Sequence, residues 1–313
     1  MRRSSLARLV LLALLWGSGF LWIKLSLRGF TPIQIVLVRL ALGALVLALV
    51  ALARGLRFPT GRVIWGHLFV AALVANAIPY TLFGIGEGTV GSNVAGVINA
   101  TTPLWTVLVA FLAGTDRTIS PRRGAGLALG FAGTLLIFTP WDSAGEIASW
   151  GGLAILAASA SYGISFVYMG RFLTNRGIPA LMLSASQLAA GAVLMVFTLP
   201  FGGLVAPHWR LDAIASLLIL GIFGTGLAYV LNYRLIADEG PTAASTTTYL
   251  LPLVAVGLGA LVVDETVTLA MTAGMVVVLG GVALVQRRPT NPSTDFPVHS
   301  RSAPAGGKQA RRR

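Results

Sequence analysis

Cysteine is absent from the 313 residues. That excludes a disulfide framework, thiolate nucleophiles and Cys-ligated metal, though it does not by itself fix a compartment. Charge is scarce as well. Asp, Glu, Lys and Arg together make up 11% of the chain, against about 25% in a soluble domain. So little polar surface cannot cover a water-soluble globule. Histidine occurs three times, as His67, His208 and His299, all read as falling in connections or the tail. There is no HExxH, no GxSxG and no carboxylate pair inside an apolar run. The chain is therefore expected not to be an enzyme, with no catalytic residue, metal or cofactor.

Long apolar runs are what the chain does contain, with 56% hydrophobic residues. A bilayer core about 30 Å thick needs about 20 apolar residues per spanning helix. Runs of that kind lie at about 6–27, 33–53, 64–85, 91–113, 122–140, 148–170, 178–200, 212–235, 241–263 and 267–286. The expected fold class is an all-α integral membrane protein of ten transmembrane helices. The first run is too long for a signal peptide and lacks a clear small-residue cleavage site, so it reads as retained.

The net charge of +13 would suit nucleic acid if it were clustered on a soluble face, but its distribution points to a membrane instead. Apart from Lys24, Arg28, Arg39 and Arg210, every Lys and Arg falls on the side that holds the N-terminus. That bias follows the positive-inside rule and predicts a multi-pass protein of the cell membrane with both termini cytoplasmic. Trp141, Trp150 and Trp209 fall at the opposite ends, as an interfacial aromatic belt would place them. Residues 287–313 are rich in Pro, Ser and Arg without apolar period. They read as a disordered cytoplasmic tail able to touch anionic headgroups.

An offset of 149 positions carries Pro103 onto Pro252, Tyr80 onto Tyr229, Gly91 onto Gly240, Asn76 onto Thr225 and Asp116 onto Glu265. The chain divides into residues 1–146 and 147–286, five runs each. An odd number per half turns the second half upside down relative to the first, a construction common among secondary transporters.

The stretch "WGSGFLWIKLSLRGFTPIQIVLVRLALGALV" resembles the first two helices of the EamA-type members of the drug/metabolite transporter superfamily. "NATTPLWTVLVAFLAG" and "TYLLPLVAVGLGALVVDE" look like that family's fourth and ninth helices, and "GAGLALGFAGTLLI" and "GMVVVLGGVALV" like its fifth and tenth. The resemblance covers residues 6–286. It implies two inverted EamA-like repeats, a central cavity lined by helices 1–4 and 6–9, and export of amino acids or other small metabolites. One departure is that the family's usual Glu after the fourth helix is Asp116 here, whereas the ninth is followed by Glu265.

The polar residues inside the runs carry the functional reading. Proline lacks an N–H and frees the carbonyl four residues back. Pro103 and Pro252 thus free those of Asn99 and Thr248 near mid-membrane, as static kinks or as gating hinges. Helical spacing aligns Ser92, Asn99, Thr102 and Thr106; Thr242, Ser245 and Tyr249; Thr225, Tyr229 and Asn232; Asn76 with Tyr80; and Ser161, Ser165 and Tyr168. "WGSGF" from Trp16 pairs with "YGISF" from Tyr162. Such stripes either line a wet cavity or hold helices together. Arg39, deep in the second run, would bind a substrate carboxylate, pair with Glu87 or snorkel outward. Ser186 and Gln187 stand at its repeat-equivalent place as neutral hydrogen-bonding groups. The candidate substrate-binding set is Trp16, Arg39, Asn76, Tyr80, Asn99, Thr102, Tyr162, Ser165, Gln187, Tyr229, Asn232, Thr248 and Tyr249.

No acidic residue lies at a helix centre, which argues against a central carboxylate relay for protons. The glycines of the fifth and tenth runs, with a GxxxG at Gly126 and Gly130, pack either within the chain or in a homodimer. The expected partners are a small-molecule substrate and membrane lipids, with no nucleic acid. The alternatives to a secondary exporter are a channel or lipid scramblase and, less favoured, a membrane enzyme.

Overall fold

A computed structural model describes residues 3–86, 89–115, 120–143, 148–262 and 267–286. Among them all regular structure is helical. In chain order the segments are α1 (Arg3–Ser26), α2 (Pro32–Ala53), α3 (Arg62–Gly86), α4 (92–112), α5 (Pro121–Phe138), α6 (Trp150–Phe172), α7 (Ala180–Val196), α8 (Leu211–Glu239), α9 (Thr247–Val262) and α10 (Leu269–Gln286). Seven of these, α1–α4, α6, α8 and α10, are long and apolar enough to cross a membrane. Large side chains such as Leu45, Leu49, Leu52, Phe111, Leu112 and Val276 stand exposed along them. In water that would be a liability; in hydrocarbon it is the expected face. The chain is a multi-span membrane protein.

Local sequence starts the helices where they begin. Thr31 and Gln34 form a reciprocal capping box around Pro32, and the Gln34 amide then donates to the carbonyls of Gly203 and Val205. Ser120 and Ser149 cap α5 and α6 by accepting from the N–H groups of Arg123 and Gly152.

The segments are not uniform rods. α1 is interrupted at Ser18. α4 breaks at Ala100 and Thr101 into Ser92–Asn99 and Thr102–Leu112. α9 is preceded by the short helix Pro241–Ser245, with the break at Thr246. α3 and α8 each contain a π-helical turn, Leu73–Ala77 and Ile222–Leu227.

Glycine sets the closest approaches. A Cβ on Gly126 would stand 2.7 Å from the Gly281 carbonyl oxygen, and one on Gly133 2.7 Å from that of Gly274. The α5 glycines thus pack antiparallel on α10 of the same chain, and Gly130 lies under the Tyr249 ring. The GxxxG of Gly126 and Gly130 is thus occupied by contacts within the chain, whereas a Cβ on Gly280 of α10 would meet nothing.

Other pairings fix relative directions. α4 and α6 run parallel, since Ser159 donates to Ile98 O, Gly163 abuts Trp105 and Arg171 donates to Ala113 O. α3 and α6 run antiparallel, through Gly86 on Gly151, Ser161 to Val74 O, and His67 with Tyr168. α1 and α8 are antiparallel, joined by Arg8–Asp238 at one end and Arg28–Asp212 at the other. α2 and α7 are antiparallel, with Gly43 on Leu188 and Gly191 on Leu40.

His67 corrects an expectation. It lies inside α3 rather than in a connection, stacked on Phe172 at 4.8 Å and sharing a 2.7 Å hydrogen bond with the Tyr168 hydroxyl.

Candidate functional site

A cavity of about 390 Å³ lies between the two halves of the chain. Its walls come from α1–α4 and from α6, α8 and α9. Of the residues singled out by sequence, Trp16, Arg39, Tyr80, Asn99, Tyr162, Ser165, Tyr229, Asn232 and Thr248 line it. Scarcity of polar residues in apolar runs made that set legible.

The geometry is largely aromatic. Trp16 meets Tyr229 edge-on at 6.4 Å, Tyr80 meets Tyr162 at 6.4 Å, and Phe83 lies 6.1 Å from Tyr162. Arg39 is buried among them. Its Nε–H donates to the Thr225 hydroxyl at 2.8 Å, and its guanidinium carbon sits 4.8 Å from the Tyr80 ring centroid. Both partners are neutral, so among the described residues the cation is stabilised by a hydrogen bond and a π face without charge cancellation. Arg39 does not snorkel. Glu87, its proposed acidic partner, lies outside the described residues, as do Asp116, Asp264, Glu265 and the tail.

The π-turns place these groups. A π-turn inserts one residue and leaves a carbonyl outside the normal ladder. In α8 the Leu220 carbonyl accepts from Thr225, whose oxygen thereby faces Arg39. In α3 the Ala75 carbonyl accepts from the Tyr229 hydroxyl at 3.1 Å. That hydroxyl in turn accepts from the Asn76 amide at 2.6 Å.

Four candidates sit elsewhere. Asn76 is fully buried behind the cavity, its oxygen accepting from Gln187 Nε2 at 3.0 Å. Gln187 is equally buried and takes the Tyr233 hydroxyl on its own oxygen. These two support Tyr229 from behind, because the π-turn rotates Asn76 off the face that a regular helix would give it. Thr102 is buried at the start of the second piece of α4, its hydroxyl 3.4 Å from Asn99 Oδ1. Tyr249 points the other way, over Gly130, and donates to Leu127 O. The break at Thr246 ends the register that had aligned it with Thr242 and Ser245.

The prolines also part company. Pro103 follows the break in α4 at the start of a helix, where its missing N–H needs no partner. Pro252 sits inside α9, which continues through it. The apolar walls, including Phe20, Ile23, Phe83, Phe166, Met169 and Leu251, were missed: among so many apolar residues nothing in the sequence marks the few that face the cavity. The π-turns were missed too, although their starts differ by the same offset that relates the two halves.

A multi-helix membrane fold enclosing a mixed aromatic and polar chamber is the architecture of a membrane transporter. The model of the EamA-like transporter family matches twice, at residues 4–139 and 149–287, and the chain belongs to that family, within the drug/metabolite transporter superfamily. It is similar to the uncharacterized inner membrane transporter YedA of Escherichia coli K12, with 30% identity covering 88% of each chain. It is also similar to the uncharacterized transporter YdfC of Bacillus subtilis, with 28% identity over 91% of this chain and 92% of the relative. A solved crystal structure shares the fold, with a TM-score of 0.75 and 21% identity over 91% of this chain and 99% of its own.

Proposed function

We propose that the protein is a secondary transporter that exports small metabolites, amino acids or related compounds, by alternating access through the central cavity. The observation that carries this reading is the cavity itself, walled by helices of both halves and holding polar groups where the surrounding medium is hydrocarbon. In this reading ten spans form two inverted repeats, residues 1–146 and 147–286, with both termini and the tail of residues 287–313 in the cytoplasm. The double family match supports the two units. Inversion is supported by directions: α6 runs parallel to α4 and antiparallel to α3. The basic bias of the connections supports the orientation.

Substrate would sit between Asn99, Thr248 and Arg39, with its apolar part against Trp16 and the tyrosines. The ties between α1 and α8 then act as gates. Arg8–Asp238 closes one end. Arg28–Asp212, with the His208 N–H on Gly29 O, closes the other. Rocking of one half against the other opens them in turn.

Counterflow in proteoliposomes over a panel of amino acids and nucleosides tests the function. Asn99→Leu should abolish counterflow while the protein folds and melts normally. Undiminished counterflow by that variant would remove Asn99 from the site, and no counterflow of any solute by wild type would remove the transport reading.

A further inference from the structure

Resting on that reading of the cavity, we infer its substrate class: a small aromatic carboxylate that bears one negative charge, no ammonium group, and a hydroxyl or N–H on the far side of its ring. Three observations carry this.

The first is charge. Arg39 is the cation on the cavity wall, and among the described lining residues there is no Asp or Glu. A guanidinium has five N–H donors in a planar fork. Only the Nε–H of Arg39 has a protein acceptor among the described residues. A buried cation with open donors favours an anion, and a carboxylate accepts two parallel N–H bonds from the fork. An ammonium group beside that carboxylate would enter the same low-dielectric space with no counter-charge from those walls, at a desolvation cost.

The second is shape and surface. The edge-on pairs Trp16–Tyr229 and Tyr80–Tyr162, with Phe83 beside the latter, present ring faces and edges to the cavity. A flat ring is the body that offset and T-shaped contacts suit best.

The third is an orphan. Asn232 lines the cavity, yet its Oδ1 is buried with no hydrogen-bond partner, and the residue is only 4% exposed. A buried amide acceptor left open is costly unless a ligand supplies the donor. Asn232 lies two turns along α8 from Thr225, the residue that holds Arg39, with Tyr229 between them. That separation, roughly 10 Å along the helix axis at 1.5 Å per residue, suits one ring with a short acidic arm on one side and a polar substituent on the other.

Four probes on one skeleton test the assignment: para-hydroxyphenylpropionate, tyrosine, tyramine and phenylpropionate, titrated calorimetrically against the purified full-length protein in detergent. The hydroxy acid should bind about tenfold or more tightly than tyrosine, as a desolvated charge pair allows, and tyramine most weakly. Phenylpropionate should be weaker than the hydroxy acid. Asn232→Ala should erase that difference, and Arg39→Gln should erase the preference for the anion over the zwitterion. Tyrosine binding as well as the hydroxy acid, or none of the four binding wild type, overturns the inference. Neither result depends on a variant that folds. Counterflow of the same probes separates the two readings. Movement of tyrosine in preference to the hydroxy acid leaves transport standing and removes the substrate class. The expected binding order without any counterflow leaves the substrate class standing and removes transport.

Discussion

The π-turns of α3 and α8 occupy matching places in the two halves and do different work. In α3 the turn buries Asn76 in a dry chain of side chains, linking Gln187 and Tyr233 to the Tyr229 hydroxyl. In α8 it sets Thr225 beside the Arg39 guanidinium at the cavity wall. The same backbone device therefore braces the site from behind in one half and positions its charge in the other. The difference follows from the side chain. An amide can join two neighbours at once, as donor and acceptor, whereas a hydroxyl that donates to its own helix has only lone pairs left for a cation.

The brace should be the more sensitive of the two. Asn76→Leu leaves the Gln187 N–H without its acceptor, at about 1–3 kcal/mol for a buried unsatisfied group. A clear drop in melting temperature in detergent is expected, and wild-type melting would show that the network does not hold α3 to α7. Tyr229→Phe keeps the ring but strips the Asn76 amide and the Ala75 carbonyl of their shared partner. Its cost should fall in the same range, about 1–3 kcal/mol, with slowed counterflow, because the ring loses its anchor and not its place in the wall. Thr225→Val keeps shape but takes the acceptor from the Arg39 Nε–H. Because the guanidinium lines the cavity, where water can replace the hydroxyl, the variant should melt within about 1 kcal/mol of wild type. Its effect should fall on substrate affinity, through a guanidinium no longer held at Nε. A loss of stability equal to that of Asn76→Leu would erase the distinction between brace and positioner.

The smallest effect concerns the second matched pair, the broken segments α4 and α9. Pro252 lies inside a helix that continues through it, so Pro252→Ala should change stability by no more than about 1 kcal/mol and leave counterflow near wild type. Pro103→Ala, beside the break at Ala100–Thr101, should slow counterflow more if that break moves. Equal effects of the two would restore the symmetric hinge that their positions in the sequence suggest.

Much of the site was legible because polar residues are rare in these runs. Arg39, Asn99, Tyr229 and Asn232 stand out against Leu and Val, and helical spacing put them on faces that cannot all meet lipid. The reading failed where the helix was not regular. Asn76 is turned into the wall by the π-turn and Tyr249 is carried round to Gly130, whereas Gln187, on the uninterrupted α7, was placed by its equivalence to Arg39 and meets Asn76 and Tyr233 instead. Spacing assumes an uninterrupted helical period, and a π-turn or a break at Thr246 shifts every side chain that follows.

Membrane residence, the number of apolar runs and the twofold repetition of the chain follow from residues taken one at a time. Transfer from water to hydrocarbon is close to a sum over side chains, and a sum can be read along a line. The neutral partners of Arg39, the open oxygen of Asn232 and the filling of the α5 glycine face by α10 were decided only by tertiary structure. Each depends on which atoms from distant parts of the chain meet at about 3 Å, where one extra residue in a helical turn changes the partner.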